Sequence, residues 1–248
     1  FDAVVVPALS TITLDMTEII PGREDISVDI EVTEGSALGV GRQNIEGRSA
    51  LWRAVEPAQD WWIPIPRGED VKELLLASPA NSEIEYQIDY YGAEGLEESF
   101  QSGVLAARGR QRVPLASISP EAAGIRVITT GPVVPTLWID SAQGLAVTTA
   151  STVDATVWLL PGAQAPAGGG GSIVILNGGL DEVSVDVRSL QEKSLTRNFT
   201  VPSEDVIEVD LVAADGYRVE ASGPIAVLWT SQLDGTGTAA MGIPIQDG

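Results

Sequence analysis

The sequence predicts an all-β protein built of tandem immunoglobulin-like or fibronectin-like β-sandwich units. Three observations carry that expectation. Apolar and polar residues alternate with a period of two: Ile26, Val28, Ile30 and Val32 are set between Ser27, Asp29 and Glu31, and Ile84, Tyr86, Ile88 and Tyr90 between Glu85, Gln87 and Asp89. That period places one side chain inward and the next outward on a strand. No helical period of comparable length competes, and the 15 prolines and 26 glycines are spread along the chain as punctuation between short strands. Finally, Gly124-Ile-Arg-Val-Ile-Thr-Thr-Gly-Pro-Val133 returns 92 residues later as Gly216-Tyr-Arg-Val-Glu-Ala-Ser-Gly-Pro-Ile225, with five of ten positions identical. Glycine tolerates positive φ, and proline fixes φ and donates no hydrogen bond, so the Gly-Pro is expected to be a turn between two strands.

Taken in order, residues 1–58 carry about five strand-like segments, around 4–6, 10–16, 26–32, 37–40 and 49–55. That is fewer than a seven-stranded sandwich needs, so the segment is either a partial unit or a set of strands completing a neighbouring sheet. Residues 59–140 hold seven segments, opening with Trp61-Trp-Ile-Pro-Ile-Pro66 and closing with the repeated motif and Trp138. Residues 141–248 repeat the order. Val157-Trp-Leu-Leu-Pro161 stands for Trp61-Trp-Ile-Pro, Ser172–Leu176 for Leu74–Ala77, Glu182–Val187 for Glu83–Ile88, and Glu208–Leu211 for Arg112–Leu115. Trp138, Trp158 and Trp229 fall at corresponding places, which favours core roles. Gly242-Ile-Pro-Ile245 is expected either to open a further unit or to pair with an earlier strand. Each unit alone would bury a modest core, so packing between units is expected to add burial.

Composition narrows function by exclusion. The formal charge is −21, from 35 acids and 14 bases, which repels nucleic acid and anionic membrane surfaces. The chain contains neither cysteine nor histidine. Disulfides, thiolate chemistry, the usual general base near neutral pH and the commonest transition-metal ligands are therefore unavailable. No run of about 18 apolar residues suggests a membrane-spanning helix. The opening Phe1-Asp-Ala-Val-Val-Val-Pro is strand-like and is expected to be a processed or trimmed end, leaving membrane contact only through an N-terminal anchor that this sequence does not include.

The candidate sites are few. Trp61 and Trp62 are adjacent and so face opposite sides of a strand. Either could be a ligand platform, stacking on a sugar ring through its apolar face, but the packing reading is favoured: one indole in the core, the other against a neighbouring unit. Gly168–Gly171 lead into a strand and no lysine follows, so they form a loop and not a phosphate cradle. Acidic turns at 140–144, 215–216 and 234–237 lack the spacing of a calcium loop. Glu192-Lys-Ser194 places its lysine and serine on opposite sides of a strand, and no pair among the acids can be singled out for glycosidic cleavage. No catalytic, cofactor-binding or metal-binding residue is assigned.

The Trp-Trp-Ile-Pro block, the apolar strand after it, the Val-x-Val-x-Val strand, and Gly-x-Arg-Val-x-x-x-Gly-Pro followed by an apolar tryptophan segment together resemble a family of actinobacterial extracytoplasmic proteins with tandem all-β units. The resemblance covers roughly residues 60–245, and departs from the family where its Asn-Pro is Ser78-Pro79 and Asn177-Gly178. It implies an extracytoplasmic location, secreted or membrane-anchored, and no catalytic residue. The expected function is a non-catalytic structural or interaction protein of the cell envelope, whose partner is an envelope protein or a cell-wall polysaccharide. The alternatives are a carbohydrate-binding module and, behind it, a carboxylate-dependent glycan hydrolase.

Overall fold

A computed structural model of the protein describes residues 4–22, 28–45, 48–68, 71–115, 121–141, 144–161, 163, 170–191, 196–212, 216–233 and 236–245. The described chain is all-β, apart from one helical turn, α1 (Met16–Ile19), capped by the Asp15 carboxylate, which accepts the Thr17 N–H at 2.9 Å. A hairpin of β1 (Val40–Ile45) and β2 (Arg48–Arg53) comes first. The next strands are β3 (Ala58–Ile65), β4 (Val71–Ala77), β5 (Ile84–Gly92), β6 (Gly95–Leu105), β7 (Arg110–Pro114), β8 (Ala123–Ser141) and β9 (Gly144–Thr149). After them run β10 (Ala155–Leu160), β11 (Gly170–Asn177), β12 (Val183–Ser189), β13 (Thr196–Val201), β14 (Asp205–Asp210), β15 (Tyr217–Leu233), β16 (Thr236–Met241) and β17 (Ile243–Pro244).

The pairings repeat. In the first half one sheet runs β6-β5-β8-β3 and the other β7-β4-β8-β9. In the second half the sheets run β13-β12-β15-β10-β17 and β14-β11-β15-β16. Each half closes on one core between its two sheets. Trp61, Ile63, Leu74, Leu76, Ile88, Ile125, Val127 and Leu137 fill the first, and Trp158, Leu160, Ile173, Ile175, Val185, Val219 and Val227 the second. Alternation along each strand decides which residues enter: β12 reads buried at Val183, Val185 and Val187, with Ser184 exposed between the first two. β9 lies beyond the expected boundary at 140, yet pairs with β8 from Thr136↔Thr149 to Ser141↔Gly144.

The repeated Gly-Pro is not a turn. β8 and β15 run straight through it, and it marks where each strand leaves one sheet for the other. In β8 the residues up to Thr129 pair with β5, and those from Val134 pair with β4; in β15 the change falls between Ala221 and Ala226. Proline lacks an N–H, and at the crossing no ladder asks for one, while glycine gives the bend. Local chemistry suited to a turn suits a sheet change equally well.

Two further expectations are corrected. Residues 4–39 were expected to hold strands, but among the described residues there the only regular element is α1. Val28, Ile30 and Val32 alternate as a strand should and remain exposed, because a strand also needs a partner edge and the described chain offers none to them. Trp138 and Trp229 are not counterparts. Trp138 follows Gly131 by seven residues and Trp229 follows Gly223 by six, so they point to opposite sides. Trp229 packs on the second core, whereas Trp138 joins Ala50, Leu145 and Val147 under the β1–β2 hairpin. Trp61 and Trp158 are true counterparts: their indole N–H groups donate to Ala58 O and Ala155 O, at 3.1 and 3.0 Å, and the same bulge precedes each. The Gly242–Ile245 segment takes the second of its two expected courses, with Ile243–Pro244 pairing against β10.

Candidate functional site

Strand β3 sends its two adjacent tryptophans opposite ways. Trp61 is 1% exposed and lies in the first core, so it offers no ring face to a ligand. Trp62 points outward and is partly buried. The period of two places Asp60 beside it on the same side, and the register of β8 places Arg126 directly opposite. The Arg126 guanidinium lies 4.7 Å from the Trp62 ring centroid and donates to both carboxylate oxygens of Asp60, at 2.9 and 2.6 Å. This forked pair holds the cation over the indole, and hydrogen bonding to Asp60 raises the Arg126 pKa further above its usual range. From β5, Tyr91 meets Trp62 at 5.9 Å between centroids; burial pushes its hydroxyl up to about 12.

The other side of this cluster is the second half of the chain. Leu176 and Ala226, both essentially fully buried, pack with Tyr91 and Trp62, and Leu96, Val206 and Met241 complete the cluster. Two glycines make the approach close enough. A β-carbon on Gly124 would stand 2.7 Å from Leu176 Cδ1, and one on Gly178 would collide with the six-membered ring of Trp62. Beside them the Arg67 backbone N–H donates to Glu208 Oε2 at 2.7 Å, and its guanidinium pairs with Asp210. Trp62 is thus the centre of a joint between the two halves. One face is covered by Arg126 and one edge is set against the Gly178 backbone.

The remaining candidates gather no site. Asp140 is ion-paired with Arg48, and Asp215, Asp234 and Lys193, with Gly168 and Gly169, lie outside the described residues. Among the described residues no group of three or more acids converges as a metal would require. A recess of about 100 Å³ between Ile173, Val187, Val209 and Tyr217 opens at one end of the second core. That is well under the roughly 300 Å³ at which small-molecule pockets begin.

Searched against family models and curated proteins, the chain matches none.

The repeated motif contains Gly124 and Arg126, but nothing in the sequence marks them, or Asp60 and Gly178, as parts of a joint. Only the Asp60-x-Trp62 spacing hinted at them, since residues two apart share a strand face. The repeat of Gly124 as Gly216 does not reveal what the glycines admit, because that arrives from a strand far along the chain. Replacing Gly178 by valine is expected to destabilise the protein by about 1–3 kcal/mol through forced displacement of Trp62. Urea unfolding followed by tryptophan fluorescence would read this; a midpoint equal to that of the parent would show that the joint yields without cost.

Proposed function

We propose that this protein is a non-catalytic, extracytoplasmic interaction scaffold of the cell envelope, built of two immunoglobulin-like sandwich units locked in one orientation and binding a protein partner. The joint at Trp62 carries the reading. The best candidate platform residue is spent on holding the units together, as expected of a rigid spacer and not of a sugar-stacking surface. The acidic surface, the absence of histidine and cysteine and the likeness to actinobacterial envelope proteins support it further. The immunoglobulin-like reading draws on two ladders, β4–β7 and β6-β5-β8, which match the B–E pair and the C′-C-F set of such sandwiches. β3 and the far end of β8 flank those ladders in exchanged order. Sheet edges at β6, β7 and β13 offer strand addition as the mode of binding.

The test is capture from solubilised native envelope with the purified chain as bait, alongside Trp62→Ala. The expected result is a protein partner retained by both chains. Capture of glycan by the parent, lost in Trp62→Ala, would replace this reading with a carbohydrate-binding module. Capture of neither would remove both.

A further inference from the structure

The β1–β2 hairpin resembles the hairpins that end β8 and β15. β8 and β9 end in a hairpin with two residues between the paired ends Ser141 and Gly144, and β15 and β16 do the same at Leu233 and Thr236. β1 and β2 form a third such hairpin, paired at Ile45 and Arg48. The likeness extends along the chain in both directions. Gly35 stands ten residues before the end of β1, as Gly131 does before the end of β8 and Gly223 before the end of β15. Beyond the second strand, the N–H of Ala54 donates to Gly39 O at 3.0 Å; at the same place Ala150 donates to Pro135 O at 3.3 Å and Gly242 to Val227 O at 2.9 Å. These are one hydrogen bond in three copies.

The three hairpins also meet. β2 packs on β9, β9 on β16, and β16 on β2, so the equivalent strand of each copy touches both others. Ala50 of β2 is buried with Leu145 and Val147 of β9, and Ala239 of β16 is buried with Ala146 of β9 in the first core. Three equivalent strands converging in this way describe a ring of three units around one axis. Two of its units are complete. The third consists of its closing hairpin and, ahead of it, Val28–Gly39, where Ile30-Glu-Val32 stands for Ile125-Arg-Val127 and Tyr217-Arg-Val219 once one residue fewer is allowed before Gly35 than before Gly131 and Gly223. Ile125, Val127 and Val219 are fully buried, whereas Ile30 is 58% exposed and Val32 46%. The first unit shows a matching gap. Leu176 and Ala226 of the second unit are buried in the joint, but Ala77 and Val134, which hold the same places in the first unit, are only partly covered.

We propose that residues 28–53 are the closing strands of a third copy of the repeat, and that the wedge beside β1–β2 seats a set of strands patterned like β3–β7. The occupant is such a set and no other class of partner, because the apolar spacing of 28–39, the register of β1–β2 and the partly covered face of the first unit all fit that one shape. Where the second unit meets Arg67 with Glu208 and Asp210, the first unit has Arg112, ion-paired with Glu73, and Pro114 at the corresponding places of β7.

The register makes the test definite. With one residue fewer before Gly35 than before Gly131, Val28 corresponds to Ala123, so a second copy of residues 58–122 joined directly to Val28, in place of residues 1–27, supplies the missing strands. Hydrogen exchange is followed in this fusion and in the unaltered chain. In the unaltered chain, amides of 28–39 are expected to exchange freely while those of β1 and β2 are protected. In the fusion, protection of 28–39 is expected to rise at least about 100-fold, as for strands of a folded unit. A fusion carrying Val32→Asp should lose that gain. Protection of 28–39 already present in the unaltered chain would mean that it has another partner and would overturn the proposal. So would a fusion that fails to fold, or one that folds with 28–39 unprotected.

Discussion

Replacing Trp158 by alanine is expected to lower the unfolding free energy by about 3–5 kcal/mol, among the largest effects of any single change in the second half. The side chain is fully buried, and its indole N–H donates to both Ala155 O and Ile225 O at 3.0 Å. Removal leaves a cavity between the sheets and withdraws the donor from two carbonyls at the bulge where β10 meets the β15 sheet change. Trp158→Phe should retain much of the packing and lose only the hydrogen bonds, at a cost of about 1–3 kcal/mol. Urea midpoints at unchanged m would separate the two terms. A Trp158→Ala loss below about 1 kcal/mol would show that the sheets collapse onto the gap, contrary to the close packing of the core.

Asn177→Leu is expected to cost about 2–3 kcal/mol, although it exchanges a polar side chain for an apolar one of similar size. Asn177 is 1% exposed and stitches three segments together. Its Nδ2 donates to Asp181 O at 2.9 Å, Val201 O at 3.3 Å and Pro202 O at 2.8 Å, and its Oδ1 accepts the Gly179 N–H at 3.0 Å. Leucine satisfies none of these, and an unmet buried carbonyl costs more than an average hydrogen bond contributes. Ser78 holds the same place in the first half with less to do: its hydroxyl donates to Pro132 O at 3.1 Å and accepts the Ala80 N–H at 3.1 Å. Ser78→Ala should therefore cost only about 1 kcal/mol. Thermal unfolding of the two variants in parallel reads the difference, and equal losses would deny Asn177 its stitching role.

The all-β class, most strand positions and the block-by-block repeat could be read from residues alone, because a period of two is written locally and repeated blocks keep their order. The split of Trp61 and Trp62 onto opposite sides was legible for the same reason. What could not be read was whatever depends on a distant partner. Val28, Ile30 and Val32 have the pattern of a strand but, among the described residues, no edge to join. Gly131-Pro132 has turn chemistry, yet β4 and β5 lie where a continuous strand can serve both. Trp138 and Trp229 keep the same order in their motifs, but a one-residue difference in spacing turns one of them outward. The joint at Trp62 needed Gly178, whose smallness acquires meaning only once Trp62 is known to lie against it.

The long strands β8 and β15 have a consequence for how the molecule comes apart. In a sandwich whose layers share no strand, one layer can fray while the other holds. Here each layer's central ladder is the same piece of backbone, so peeling either one pulls on the other through Gly131-Pro132 or Gly223-Pro224. The smallest piece that can open is then the whole pair of layers, which makes each half a single cooperative block, intact or lost as one.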